Sequence, residues 1–305
     1  MKNFYSHGTL LLTAEYAVLD GAKALAVPTQ FGQKMQVITL NEPLLKWESR
    51  DENGEIWFNA EFILNQKSIL LKQGQKDQPV AERLLQILQT AAKLNPNFVE
   101  GNPGYYIRNQ LEFNRNWGLG SSSTLINNIA SWLEINPYTL LDKTFGGSGY
   151  DIAAAREDSA FTFQLTSGEP SVLNSAFDPI FKEQLFFVYL NQKQNSRQAI
   201  AHYRNQDKEN LADLINKISG LTERIILCDN LPEFQLLIDL HETLISKAIN
   251  LPKIKSQLFS DYPGSIKSLG GWGGDFILAT GGEEEKEYFR RKNYKTILSF
   301  TEMVL

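Results

Sequence analysis

The sequence predicts a chain of mixed strands and helices in two domains. Three observations carry this: alternating or apolar runs that read as strands at the start of each half, amphipathic helical runs after them, and a loosening of pattern over residues 170–184. The boundary is set so that residues 1–175 form an N-terminal domain and residues 176–305 a C-terminal one. A chain of 305 residues with 42% hydrophobic content has ample apolar material for both.

Phe4 to Leu19 is an apolar run read as a strand, with turns at His7-Gly8 and Asp20-Gly21 and a polar interruption at Glu15. An unpaired carboxylate inside such a run is expensive, so Glu15 is either a member of a buried ion pair or a site residue. Alternation around Met35 to Leu40 and Ile56 to Phe62 predicts antiparallel strands joined by the polar turn Asp51-Glu52-Asn53-Gly54. From Gln78 to Leu94, apolar residues at Val80, Leu84, Leu85, Ile87, Leu88 and Ala91 have the spacing of an amphipathic helix, with Pro79 in its first turn. That helix should pack on the sheet.

Tyr105 to Phe113 reads as the next strand, and Asn114-Arg115-Asn116 delivers the chain to Trp117-Gly118-Leu119-Gly120-Ser121-Ser122-Ser123-Thr124, followed by the helical Leu125 to Ala130. Two glycines let backbone approach a ligand, and the serines bring hydroxyls to a helix start, where unpaired N–H groups and the helix dipole favour anions. This is the chemistry of a phosphate cradle, although no lysine follows as in a Walker A loop. A Gly-Ser turn with an ordinary N-cap is the alternative.

Asn136-Pro137 opens a helical run ending near Phe145, and the flexible Gly146-Gly147-Ser148-Gly149 leads into Tyr150-Asp151-Ile152-Ala153-Ala154-Ala155. Asp151 is either the N-cap of an Ala-rich helix or a carboxylate placed to orient or deprotonate a hydroxyl. Phe161 to Leu165 is a strand, and Thr166 to Pro170 is polar. In the second half, Leu185 to Leu190 is an apolar strand, and helical patterns cover residues 196–206, 208–228 and 232–250. Within Ser265 to Ala279, Gly270, Gly271, Gly273 and Gly274 precede a strand; so many glycines cost entropy on ordering and point to close backbone approach to a ligand, with a glycine-rich bulge as the alternative. Glu283 to Lys292 is charged and helical.

Composition narrows the function. With 21% charged residues, the chain is ordinary globular protein, and a net charge of −5 argues against a nucleic-acid partner held on a broad basic surface. Cys228 is the lone cysteine and lies in the apolar run Ile225-Ile226-Leu227, so no internal disulfide forms and a reducing cytoplasm fits. No stretch is long enough to span a bilayer, and the short run Leu10 to Leu12 ends at Thr13 and Glu15 before any signal-type cleavage site, so no membrane partner is expected. His7, His202 and His241 lack zinc-site spacing.

Three glycine-bearing segments stand in one order: Gly8 to Pro28, Trp117 to Ser123, and Leu269 to Asp275. Together they resemble the motifs of the GHMP kinase family, named for galactokinase, homoserine kinase, mevalonate kinase and phosphomevalonate kinase. The resemblance covers nearly the whole chain, and the GLGSS segment is its most specific part. Glu15-Tyr16-Ala17-Val18, the aromatic Trp117 and the closing Gly-Gly-Asp are most similar to phosphomevalonate kinases, while Gly149-Tyr150-Asp151-Ile152-Ala153 is similar to a branch of the family marked by that GYDIA signature.

The resemblance implies an α+β fold, with a ribosomal protein S5 domain 2-like N-terminal domain and a ferredoxin-like C-terminal domain. It implies ATP and Mg²⁺ as cofactors and transfer of the γ-phosphoryl group to a hydroxyl or phosphate of a small molecule, such as mevalonate or phosphomevalonate. By the same resemblance Gly118, Leu119, Gly120, Ser121, Ser122 and Ser123 bind the nucleotide, with Ser122 near Mg²⁺. Asp151 matches the catalytic aspartate, and Thr9 stands at the other catalytic position. Glu15, Ser196, Arg197, Gly271 and Asp275 fall to the substrate.

Two positions depart from the pattern. Thr9 stands where mevalonate and phosphomevalonate kinases place a lysine, and a hydroxyl cannot supply full positive charge, so Lys2, Lys23, Lys193 or Arg197 would have to substitute in space. Leu140 stands where a Mg²⁺-ligating glutamate is expected, about three helical turns before Asp151. Asp142, Glu134 or water are what remain as metal ligands. Two other functions share the fold: ATP-dependent decarboxylation of diphosphomevalonate, to which Tyr150-Asp151 and the closing Gly-Gly-Asp are less similar, and non-catalytic nucleotide or metabolite sensing, which Thr9 favours.

Overall fold

The computed structural model describes residues 1–65, 68–72, 77–100, 104–206 and 210–305. Packing divides the chain into two compact units, one of residues 1–8, 31–115 and 120–156, the other of residues 9–30, 116–119 and 157–305. Strands β1 (Lys2–Leu11) and β2 (Ala24–Leu40) each contribute residues to both. The division into residues 1–175 and 176–305 is a proposal.

In the first unit the chain continues through β3 (Leu44–Arg50), β4 (Ile56–Asn65), β5 (Ser68–Leu71), α1 (Gln78–Leu94), β6 (Gly104–Leu111), α2 (Ser121–Leu133), α3 (Pro137–Asp142) and α4 (Tyr150–Ala154). Its strands lie in the order β5-β4-β3-β6-β2; β3 and β6 run parallel and the other neighbours antiparallel. Strand alternation turns Phe58, Ala60, Phe62 and Leu64 of β4 inward. They meet the stripe Ala81, Leu84, Ile87, Leu88 and Ala91 of α1, and Ile126 and Ile129 of α2. Each buried Leu, Ile or Phe side chain here contributes roughly 1.5–3 kcal/mol.

In the second unit β7 (Phe161–Thr166) pairs with Ala24 to Ala26 of β2 and forms a hairpin with β8 (Glu169–Asn174). There follow β9 (Leu185–Tyr189), α5 (Ser196–Arg204), α6 (Leu211–Leu227), α7 (Leu231–Ile249), α8 (Ile254–Leu258), β10 (Ile266–Ser268), β11 (Phe276–Thr280), α9 (Glu283–Arg291), β12 (Ile297–Ser299) and α10 (Phe300–Met303). The antiparallel order β10-β11-β9-β12 puts the first and third of these four strands at the centre, which is the ferredoxin-like arrangement. Phe186, Val188, Phe259, Ile277 and Phe289 form its core.

Helix α1 has the bounds its periodicity predicts. Elsewhere the differences have local causes. Residues His7 and Gly8 do not turn: pairing with β2 keeps β1 extended to Leu11, and the chain bends instead at Ala14 and Tyr16, whose φ angles are +66° and +62°. The turn Asp51 to Gly54 joins β3 to β4, and β2 neighbours β6 rather than β4. Strand β3 alternates buried Leu45, Trp47 and Ser49 with charged residues but is not among the strands expected from the sequence, while β8 shows no such alternation. In β8 the polar Glu169-Pro170-Ser171 is held by pairing with β7, and its edge position tolerates a proline. Residues 208 and 209 of the expected helix over 208–228 lie outside the described residues. Among the described residues no helix is long and apolar enough to cross a membrane.

Candidate active site

In the first unit α2 starts at Gly120, whose φ of +76° favours glycine, and the Gly120 carbonyl accepts the N–H groups of Ser123 and Thr124 at 2.9 and 3.0 Å. The opening N–H groups of a helix have no intrahelical partner, and here they belong to Ser121 and Ser122. Ser122 is exposed, Ser121 half-buried and Ser123 buried. An anion held at this end meets N–H donors and the positive end of a helix dipole.

Sequence reasoning missed what holds the helix start in place. Thr124 Oγ1 donates to Gln33 Oε1 at 2.6 Å, Asn128 Nδ2 donates to the Gln33 carbonyl at 3.0 Å, Ser6 Oγ donates to Asn128 Oδ1 at 2.8 Å, and Asn127 Nδ2 donates to Ser6 Oγ at 2.9 Å. All five residues are buried, so α2 is tied to β1 and β2 by polar bonds that each need the others. The available signal was Asn127-Asn128 inside an otherwise apolar helical pattern.

Helix α4 packs on α2 within the same unit. Its N-cap is Gly149 at φ +91°, so Asp151 stands in the first turn and makes no capping bond, against the plain N-cap reading. Asp151 is half-buried as a residue, and desolvation of its carboxyl pushes it up to about 7, partly offset by a hydrogen bond from Tyr150. Leu140 is fully buried in the core of this unit. Glu134 caps the far end of α2, roughly 18 Å of helix from Ser122, so the two cannot share an ion. Asp142 is exposed at the end of α3. Among the described residues no three His, Cys, Asp or Glu side chains are grouped to hold a metal.

In the second unit residues 116–119 meet the Gly270 to Asp275 loop. Thr9 N–H donates to the Leu119 carbonyl at 3.2 Å, while Thr9 Oγ1 is buried with no partner among the described residues. Gly118 has φ +72°, and a Cβ there would lie 2.4 Å from Asp275 Cγ, so only glycine fits beneath that carboxylate. Asp275 Oδ1 accepts the Gln194 N–H at 3.1 Å, and the Asp275 N–H donates to the Gln192 carbonyl at 2.7 Å. Cβ atoms on Gly271 and Gly274 would lie 2.7 Å from Gln194 Cβ and 2.6 Å from the Gln192 carbonyl oxygen. The glycines therefore let this loop lie flat against residues 192–194, with Asp275 as the brace. Burial raises the Asp275 carboxyl, opposed by backbone bonds from Gln194 and Gly271 and by the Lys193 charge.

The four cations named as substitutes for a lysine at position 9 differ in setting. Lys23 pairs with Glu223 at 2.5 Å. Lys2 is exposed on β1, and Ser196 and Arg197 are exposed at the start of α5. Lys193, also exposed, is the one whose charge reaches Asp275.

Glu15 is buried against Lys267, whose Nζ donates to Glu15 Oε1 and, at 2.9 Å, to the Ser268 carbonyl. Glu242 Oε1 lies 3.5 Å from the same ammonium. His241 Nε2 accepts the Ala14 N–H at 2.8 Å and so carries no proton; its 3.7 Å approach to Glu15 Oε2 is not an ion pair, and burial holds the ring neutral well below the usual histidine range. Sequence analysis named Glu15 without these partners. Beside it, Tyr16 has φ +62° and ψ −47°, and the Ala17 N–H donates to the Glu15 carbonyl at 2.7 Å, a strained γ-turn that costs about 1–3 kcal/mol. A separate cavity of about 380 Å³, lined by Asp239, Lys253 and Lys255 among others, contains none of the residues singled out in the sequence.

No protein-family model matches the sequence, and no curated protein matches it. Solved structures do. The mevalonate kinase of Methanococcus jannaschii aligns over 97% of this chain and 96% of its own, with a TM-score of 0.70 at 14% identity. The Streptococcus pneumoniae phosphomevalonate kinase in complex with phosphomevalonate and AMPPNP aligns over 96% of each chain, with a TM-score of 0.68 at 11% identity. Lactococcus lactis galactokinase complexed with galactose aligns over 100% of this chain and 93% of its own, with a TM-score of 0.63 at 11% identity. The chain has the α+β two-sheet fold of the GHMP kinase structures over nearly its whole length.

Proposed function

We propose that the chain is an ATP-dependent small-molecule kinase. The observation that carries this reading is the joint presence, in one unit, of the α2 start at Gly120 to Ser123 and the packed helix α4, whose Asp151 carboxyl is pushed up to about 7. A group near neutral pKa both accepts a proton and gives it up at working pH, which suits a general base for a hydroxyl acceptor.

In the first unit Gly120, Ser121, Ser122 and Ser123 hold phosphate oxygens, and Asp151 orients the acceptor hydroxyl and takes its proton. The exposed Ser122 hydroxyl fits a single ligand to Mg²⁺, and with Leu140 in the core the remaining ligands fall to nucleotide oxygens and water. When bound, Mg²⁺ neutralises phosphate charge. In the second unit Gly118 and Leu119 present backbone, and the unpartnered Thr9 hydroxyl supplies a hydrogen bond where a cation is absent. Lys193 brings positive charge beside Asp275. The exposed Ser196 and Arg197 suit the anionic end of an acceptor, as in mevalonate or phosphomevalonate, with Gly271 and Asp275 shaping the loop. Glu15 serves as the ion-pair member that its burial with Lys267 supports.

One observation favours a second reading, a non-catalytic nucleotide sensor: position 9 carries a buried hydroxyl in place of a cation. Purified protein incubated with Mg-ATP and each of mevalonate, phosphomevalonate and diphosphomevalonate separates the possibilities. ADP without CO₂ supports the kinase, and ADP with CO₂ a decarboxylase. Tight ATP binding with no turnover on a broad metabolite panel defeats both enzymes and leaves the sensor.

A further inference from the structure

We propose that Glu242 is a proton-linked positioning residue for the glycine loop Gly270 to Asp275, so that the hold on this loop tightens as pH rises through neutrality. The second unit buries two carboxylates, Glu15 and Glu242, around one ammonium, Lys267, and all three are at most 1% exposed. With both carboxylates ionised, the group has one surplus negative charge in a place water does not reach. His241 cannot balance it, because its Nε2 is committed to the Ala14 N–H.

Among the described residues no further buried cation faces this group: α8, packed on β10, buries only Ile254, its half-buried Lys255 donates to the Gly264 carbonyl, and the other charges nearby, Asp239 on α7 and Asp275 in the loop, are negative. The buried residues of α6 are Ile218, Leu221, Thr222 and Ile225, α5 buries only Tyr203, and β11 buries Phe276 to Thr280, none of them a cation. The surplus is therefore relieved by a proton from solvent. Glu15 is the closer partner of the ammonium, so the proton goes to Glu242, 3.5 Å away. Burial raises the Glu242 carboxyl to about 7; the Glu15 charge adds to this and Lys267 opposes it.

That proton matters because of what Glu242 holds. Its Oε1 accepts the Ser268 N–H at 3.0 Å and its Oε2 accepts the Ser268 Oγ–H at 3.1 Å, so one carboxylate on α7 clamps one residue at the end of β10. Two residues later the chain enters the loop at Gly270, with φ +60°. Ionised, Glu242 makes two charge-assisted bonds. Protonated, one oxygen becomes a donor, the serine hydroxyl must reverse, and both bonds become neutral, which weakens each to roughly half. The inference concerns the loop itself and stands whether or not the chain is a kinase.

The test is hydrogen exchange of the full chain read over Ser268 to Asp275, corrected for intrinsic rates, at about pH 6 and about pH 8. The wild type is expected to gain about tenfold protection at the higher pH. Glu242→Gln should show the low protection at both pH values. Glu15→Gln removes the surplus charge from the other side, leaves Glu242 ionised against Lys267, and should show the high protection at both; it also serves if Glu242→Gln does not fold. Wild-type protection that does not change with pH, or the same pH dependence in either variant as in the wild type, overturns the proposal.

Discussion

Replacing Lys267 by methionine tests the physical heart of the second unit. The variant keeps a chain of similar length in β10 but leaves Glu15 and Glu242 buried without a cation. In the wild type burial already raises both carboxyls, with Lys267 as the opposing influence. Without the ammonium, the less costly course for Glu15 is to take up a proton, and holding a carboxyl of ordinary value 4.5 protonated costs about 1.4 kcal/mol for each pH unit above that value. The loss should thus be roughly 2 kcal/mol near pH 6 and roughly 5 kcal/mol near pH 8, close to the 3–5 kcal/mol typical of breaking a buried pair. Urea unfolding followed by circular dichroism at the two pH values measures both. In Glu15→Gln/Lys267→Met the part of the loss near pH 8 that comes from Glu15 should return, leaving only Glu242 without its cation. A loss that is equal at the two pH values, or a double variant no better than the single, would refute the reasoning.

Three further predictions follow from single contacts. The Glu242 carboxyl is raised from 4.5 to about 7, so between those values the folded chain binds a proton that the unfolded chain does not; its contribution is fully present below about pH 4.5 and is lost as pH rises, by about 3 kcal/mol in all. Asp151, raised from 3.8 to about 7, acts in the same direction, so thermal midpoints should fall between pH 5 and pH 7 and the fall should be shallower in Glu242→Gln; a midpoint that rises through this window in the wild type contradicts the assignment. Asp151→Asn should leave the melting temperature unchanged or higher, leave nucleotide affinity nearly intact, and reduce phosphoryl transfer at least about a hundredfold; loss of folding instead would make Asp151 structural. Gly118→Ala should destabilise the second unit by about 1–2 kcal/mol from its φ of +72° alone, with more from the clash on Asp275, and urea unfolding checks it.

Helix α1 was legible from end to end because its apolar stripe is a local property with a period of about 3.6 residues. The Gly-Ser segment was legible because glycine at positive φ and hydroxyls at a helix start are local requirements too. Strand β3 carries the alternating signal, with Leu45, Trp47 and Ser49 buried between Lys46, Glu48 and Arg50, but over so short and charged a stretch only its pairing with β4 and β6 fixes it as a strand. Glu15 shows the middle case. Its residue type announced that a partner must exist, but nothing in the chain order announced Lys267, since 252 residues separate them.

The sequence by itself determined the mix of strands and helices, the helix that carries the candidate phosphate site, and the presence of two glycine loops, because periodicity, helix starts and backbone freedom act over a few neighbouring residues; the α+β fold class came from the resemblance of its motifs. Only the tertiary structure decided what those features do to one another. It put the Asp275 carboxylate over Gly118, made Asp151 a half-buried acid raised to about 7 in place of an N-cap, and closed Glu15, Lys267 and Glu242 into one charge-unbalanced group. Each of these depends on which distant side chains exclude water together, and desolvation is a property of the packed molecule that no local stretch of sequence contains.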